Sequence, residues 1–198
     1  MKKFLSILFT AFMALSLTAC GGAAGQSTDT QQNAQAKQAQ PQTEGKKVLV
    51  AYFSHTGTTE KVAQVIQNKT GGDLFKIETA TPYPAAYRET TELAKQEKSA
   101  NARPALKNTV SDMAQYDVVF VGYPIWWYTA PMAVASFADS YDFSGKTVIT
   151  FCTSGGSPIS DSTPDMKTWF KGANVVEGIR AYANDAASTE RWLERLGY

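Results

Sequence analysis

Three uninterrupted apolar runs constrain this chain more than any other feature. They are Val48-Leu49-Val50-Ala51-Tyr52-Phe53, Val118-Val119-Phe120-Val121-Gly122 (entered through Asp117) and Thr147-Val148-Ile149-Thr150-Phe151-Cys152. A strand with one wet face alternates apolar and polar residues, whereas a strand covered on both faces does not alternate. Each run is bounded by turn-forming residues and is too short for a buried helix. The runs therefore predict strands buried on both faces.

Helical patterns lie between them. Val62, Val65 and Ile66 recur at helical spacing, and Gly71-Gly72 stops that helix. Residues 74–77 read as a short second strand, and residues 82–84 as a turn. The charged stretch 87–99 reads as a helix that ends before Pro104. Residues 131–138 read as a helix with proline in its first turn, and residues 160–170 as another. A last strand begins at residues 175–177. Residues 188–196 close the chain as a helix with Trp192, Leu193 and Leu196 on one face. Such alternation of strand and helix means a parallel sheet with helices on both sides. Ligands of such sheets sit beyond the carboxyl ends of the strands, at the switch in strand order. The loops after Phe53, Gly122 and Cys152 are therefore the candidate site.

The beginning of the chain has a different character. Lys2 and Lys3 precede an apolar stretch, residues 4–17, that is shorter than the ~20 residues a membrane span needs. It fits the apolar segment of a signal peptide. Leu17-Thr18-Ala19-Cys20-Gly21 then resembles the lipobox of bacterial lipoproteins. That resemblance implies cleavage after residue 19 and lipidation of Cys20; plain secretion with an incidental cysteine is the alternative. Residues 20–45, rich in Gln, Ala, Gly, Ser and Thr, cannot bury a core and read as a flexible tether. The expected organisation is a leader at 1–19, a lipidated linker at 20–45 and a folded domain at 46–198.

Charge and composition exclude several functions. The formal net charge is +1, and residues 46–198 carry equal numbers of basic and acidic side chains. No basic patch points to nucleic acid. His55 is the only histidine, which excludes a His-rich metal site and any Ser-His-Asp triad without it. Cys20 and Cys152, the two cysteines, are not expected to pair. Cys152 ends a buried strand and reads as an inert core thiol.

The first loop is Ser54-His55-Thr56-Gly57-Thr58-Thr59. It joins a strand to a helix N-terminus, a natural anion site. Gly57 lets the backbone come close to a ligand. The loop has no Lys or Arg, so it is not a Walker loop, and it lacks G-x-G-x-x-G. A monophosphate held by amides and hydroxyls remains; a turn that merely caps the helix is the plain alternative. His55 reads as a loop-shaping residue. The second loop holds Pro124, Ile125, Trp126, Trp127 and Tyr128. Adjacent rings cannot all face the core, so at least one should meet a planar heterocycle at the crevice; a core or interface role for the tryptophans is the alternative. The third loop, Thr153, Ser154, Gly155 and Gly156, permits backbone N–H groups to face a ligand, or forms a tight turn.

The strand running into Ser54-His55-Thr56-Gly57-Thr58-Thr59, together with Tyr123-Pro124-Ile125-Trp126-Trp127, resembles the flavodoxin family, in its short-chain form. The resemblance covers residues 46–198. It implies a flavodoxin-like three-layer α/β sandwich, with a five-stranded parallel sheet in the order 2-1-3-4-5. It implies FMN as cofactor: its phosphate in the first loop, its ring against the second, its pyrimidine edge at the third. The implied function is electron transfer by an exported, membrane-anchored flavoprotein with an unknown donor and acceptor. An FMN-dependent NAD(P)H:quinone-type reductase and a non-redox binding lipoprotein are the alternatives, although no NAD(P)H-binding motif is recognisable. No residue is assigned as an acid or base. Two features depart from the family: the domain is neutral rather than acidic, and residues 124–131 contain no glycine. The second departure predicts weaker support for one-electron reduction.

Overall fold

A computed structural model describes residues 45–198. Leader, lipobox, Cys20 and nearly all of the linker lie outside the described residues. The elements alternate as β1 (Val48–Tyr52), α1 (Thr58–Thr70), β2 (Asp73–Lys76), α2 (Tyr87–Ser99), β3 (Val118–Pro124), α3 (Met132–Asp139), β4 (Thr147–Thr153), α4 (Thr163–Trp169), β5 (Asn174–Arg180) and α5 (Ala186–Arg195). All strand pairings in the sheet are parallel, and the order is β2-β1-β3-β4-β5. This is the three-layer α/β fold expected from the sequence.

Period-two geometry explains the apolar runs. Leu49, Ala51 and Phe53 face one side of the sheet with Val119, Val121 and Tyr123, and pack against α3 and α4 through Val134, Phe137 and Met166. Val48, Val50 and Tyr52 face the other side with Val118 and Phe120, and meet Val62 and Ile66 of α1 and Trp192 and Leu193 of α5. Each central strand thus feeds two cores at once. Burying each large apolar side chain contributes about 1.5–3 kcal/mol. The edge strands are less covered: β2 and β5 contain no fully buried residue.

Two details differ from the sequence expectation. The predicted helix at 160–170 is a 3₁₀ turn, Ile159–Asp161, followed by α4; Pro164 sits in the first turn of α4, where its missing N–H costs nothing. Strand β3 also runs further than expected. Tyr123 belongs to it, fully buried, with its hydroxyl 3.0 Å from Ser162 Oγ.

The segment between β2 and β3 makes an excursion. Its stem is an antiparallel bridge of Thr79 with Leu106, closed by Ala80 N–H to Ala105 O at 2.8 Å and Lys107 N–H to Glu78 O at 2.8 Å. Helix α2 rides on this excursion and buries only Thr90 and Ala94.

Candidate functional site

The carboxyl ends of β1, β3 and β4 open onto a cleft of about 820 Å³. That volume lies within the range of small-molecule sites, roughly 300–1,000 Å³. Its lining includes Ser54, His55, Thr56, Thr58, Thr59, Pro124, Ile125, Trp126, Trp127, Tyr128, Thr153, Ser154 and Gly155. The three segments singled out from the sequence therefore share one cavity. Gly57 and Gly156 stand outside its lining: Gly57 turns the chain into α1 at φ 84°, and the Gly156 carbonyl accepts from Arg180 Nη1 at 2.6 Å.

Helix α1 starts in the cleft without a side-chain cap, and Gly57 holds the position before its first turn. Its leading N–H groups thus keep the unmet hydrogen-bonding capacity and partial positive charge of a helix start. Thr56 and Thr58 place their hydroxyls 3.2 Å apart at the same spot. Ser54 Oγ is buried and has no hydrogen-bond partner. A buried hydroxyl without a partner costs about 1–3 kcal/mol; an anion oxygen at this helix start would relieve that cost. Thr59 Oγ1 and Thr153 Oγ1, 2.9 Å apart, tie the first loop to the third.

The aromatic wall has a fixed half and an exposed half. Trp126 meets Phe53, His55 and Tyr83 edge-on, with ring centroids 5.5, 5.8 and 5.2 Å away. These contacts set its plane. Trp127 and Tyr128 form the two central residues of a tight reversal: Trp126 N–H donates to Thr129 O at 2.9 Å and Thr129 N–H to Trp126 O at 3.1 Å. Both central residues are left-handed, at φ 50° and 67°. Such turns favour Asn-Gly, and bulky residues adopt this region at a cost. Tyr128 is 65% exposed at the cleft. Trp127 is pinned to α2: Nε1 donates to Thr91 O at 2.9 Å, Lys98 Nζ donates to its carbonyl at 2.6 Å, and Lys95 Nζ lies 5.2 Å from its ring centroid.

Two walls were not foreseen. Ala85, Tyr87, Thr90, Thr91 and Ala94 approach from α2 and the turn before it; Ala181-Tyr182-Ala183-Asn184 approach from the side of β5, while Ser157 continues the third loop. These contacts arise from tertiary placement. The one sequence-level hint is the run Tyr182 to Asn184, which follows a strand as the other three loops do.

Nothing in the cleft lining is Asp, Glu, Lys or Arg. Burial raises three titratable groups near the cleft. Burial pushes the Cys152 thiol up to about 12, so it stays protonated behind the third loop. Burial and a 2.6 Å hydrogen bond to Glu97 push the Tyr83 phenol well above its ordinary value, and burial raises the Glu97 carboxyl as well. Among the described residues, no group of three or more His, Cys, Asp or Glu could hold a metal, and no helix is long and apolar enough to cross a membrane.

A doubly wound parallel sheet with a helix-start anion site and an aromatic cleft at its switch point defines a mononucleotide-binding α/β protein. Residues 47–196 match the flavodoxin family model, and the chain belongs to the flavodoxin family. It is similar to a crystallised candidate flavoprotein from Bacteroides uniformis: 36% identity, 76% of this chain and 99% of that one covered, TM-score 0.70. A second candidate flavoprotein, from Bacteroides eggerthii, shares 37% identity over 77% of this chain and 99% of that one, with TM-score 0.68. A flavoprotein from Lactobacillus acidophilus, crystallised in complex with FMN, shares the fold at 23% identity, 75% and 99% coverage and TM-score 0.64. No curated protein matches the chain.

The residues present fit FMN, the cofactor of this family. The unpartnered Ser54 Oγ and the uncapped α1 start suit its phosphate. The uncharged, ring-lined cleft suits its flat tricyclic head.

Proposed function

We propose that this chain is an FMN-binding redox protein, exported and held on a membrane through lipidated Cys20. Family membership supports the redox reading, and the FMN reported for the Lactobacillus acidophilus flavoprotein supports the cofactor. The observation that carries the proposal is Ser54 Oγ, buried without a partner beside an uncapped helix start in an uncharged aromatic cleft.

FMN, when bound, supplies electron transfer by one- or two-electron steps. The chain's own residues do the rest. Ser54, Thr56 and Thr58 hydroxyls and the first amides of α1 would hold the phosphate by hydrogen bonds and helix dipole, with no cation. Trp126, fixed by three neighbouring rings, would offer the flavin head a wall of set orientation. Trp127 and Tyr128 would add apolar surface against it, an environment that disfavours negative charge on a reduced ring. Backbone N–H groups of Ser154 and Gly155 would be available to its polar edge. Arg180 holds the Gly156 carbonyl and so keeps the third loop in place.

The anchoring proposal rests on residues 1–20: two lysines, a short apolar stretch and a cysteine after small residues. The lipid chains would hold the protein at the bilayer surface, each buried methylene contributing ~0.8 kcal/mol.

The test is the absorbance spectrum of the full-length protein purified from its membrane fraction, with mass spectrometry of what denaturation releases. Flavin bands, riboflavin 5′-phosphate in the supernatant and a diacylglycerol adduct on Cys20 support the proposal. A colourless protein that takes up no added FMN contradicts the cofactor; an unmodified Cys20 in soluble material contradicts the anchor.

A further inference from the structure

Arg180 ends β5, half-buried, and forms no ion pair among the described residues. Its Nη1 donates to the Gly156 carbonyl at 2.6 Å and reaches the Ser157 carbonyl at 3.5 Å. Its guanidinium lies 5.3 Å from the centroid of the Tyr182 ring. Ser157 and Tyr182 line the cleft, whereas Arg180 and Gly156 do not. A cation without a carboxylate partner thus stands behind two pieces of the cleft wall, the third loop and the segment after β5.

The bond to Gly156 fixes more than the position of the loop. In a trans peptide the C=O and the N–H that follows it point in opposite directions. With its carbonyl drawn outward to Arg180, the Gly156–Ser157 peptide turns the Ser157 N–H to the cleft side. That N–H has no hydrogen-bond partner among the described residues. The charge of Arg180 also reaches through the loop. Of the charged groups that act on the buried Cys152 thiol, Arg180 acts most strongly, ahead of Glu177 and Asp161. Glu177 is itself engaged by the Thr163 hydroxyl. The cations beside the second loop, Lys95 and Lys98, sit at Trp127.

We propose that Arg180 biases the cofactor toward its reduced form, by presenting the Ser157 N–H to the polar edge of the flavin and by holding positive charge behind that edge. The inference rests on the FMN reading and adds to it a binding group, Ser157, and a control of potential. A flavin ring that gains two electrons and one proton keeps one negative charge. A donor and a cation already fixed at its polar edge favour that charge. Arg180 does not itself line the cleft, so it is a positioning residue that acts through the third loop. Its effect opposes that of the apolar surface at Trp127 and Tyr128.

Two measurements on the full chain test this. In the unaltered protein, hydrogen exchange at the Ser157 amide, read by NMR, should slow about tenfold or more when FMN is loaded. Dithionite titration of the loaded protein against a reference dye gives the two-electron midpoint potential. Arg180→Gln should lower that potential by about 30 mV or more, a tenfold loss of preference for reduced over oxidised FMN. Arg180→Lys, which keeps the charge, should recover at least half of the shift. An arginine that only braces the loop would weaken both forms of FMN alike and leave the potential in place. Three results would overturn the inference: Ser157 exchange that FMN does not slow, an Arg180→Gln potential equal to that of the unaltered protein, or an Arg180→Lys potential no higher than that of Arg180→Gln. Should Arg180→Gln not fold, the exchange measurement still decides, since it needs no variant. A chain that never takes up FMN fails at the loading step and sinks the cofactor reading; a loaded chain that fails these measurements sinks this inference alone.

Discussion

Thr59 and Thr153 face each other hydroxyl to hydroxyl across 2.9 Å, buried, although 94 positions separate them in the chain. One stands in the first turn of α1 and the other ends β4. Their contact fixes the distance between the loop that would grip the phosphate and the loop that would meet the flavin edge. Thr59→Val removes one hydroxyl and strands the other, so apo stability should fall by about 1–3 kcal/mol. Val at both positions should restore part of the loss, because no buried hydroxyl is then left alone. Urea unfolding of the single and double variants reads both effects.

Tyr128 is strained and exposed at once, with φ 67° and 65% of its surface open. Strain at a ligand-facing residue points to function. Tyr128→Gly removes the left-handed penalty and should stabilise the cofactor-free protein by about 1 kcal/mol. The same change removes a ring from the cleft, so FMN should bind at least fivefold more weakly. A variant that gains stability and keeps full FMN affinity would show that the ring does not touch the cofactor.

High pH should unfold the protein ahead of its neutral behaviour. Cys152 and Tyr116 are pushed up to about 12, both chiefly by burial, and Tyr116 also by its bond to Asp73. Burial raises Tyr52, Tyr83 and Tyr123 as well. In each case the fold prefers the neutral form. Their contribution is complete below the ordinary thiol and phenol values and disappears as pH climbs towards about 12. Urea midpoints should therefore stay level from about pH 7 to 8.5 and drop above about pH 10. For the same reason iodoacetamide should leave Cys152 unmodified until the protein unfolds.

Gly178 sits in β5 beside Thr150, where the parallel register of β5 against β4 is irregular. A Cβ there would collide with the Thr150 carbonyl and come within 2.8 Å of the Trp192 ring. A neighbouring strand's backbone cannot yield as a side chain can. Gly178→Ala should cost about 2 kcal/mol or more. Gly122→Ala collides instead with the Phe151 ring, which is fully buried, and should also cost about 2 kcal/mol or more. Denaturant midpoints of the two variants check both costs.

The central strands were legible because both of their faces are buried, so Val48, Val50, Phe120 and Ile149 admit no polar alternation. Ser54, Trp126 and Thr153 could be assigned to one site because strand ends in a parallel sheet share one edge. The extension of β3 through Tyr123 was hidden by Pro124, which reads as a loop residue yet ends the strand. The contribution of Tyr87 could not be read, since it depends on how an excursion stemmed at Thr79 and Leu106 swings α2 over the cleft; Tyr182 left only the hint that it follows a strand. Nor does any sequence pattern announce a left-handed pair at Trp127 and Tyr128, where turn chemistry favours Asn-Gly.

The central claim is that hydroxyls and helix-start amides hold a phosphate with no cation beside them. Comparing FMN with riboflavin, which differs only by that phosphate, tests it most directly. Fluorescence-quenching titrations of the full chain should give FMN at least 100-fold tighter than riboflavin, a difference of about 2.7 kcal/mol. Ser54→Ala should shrink that ratio while leaving riboflavin affinity unchanged. Equal affinity for the two flavins, or a ratio that Ser54→Ala does not move, would contradict the account.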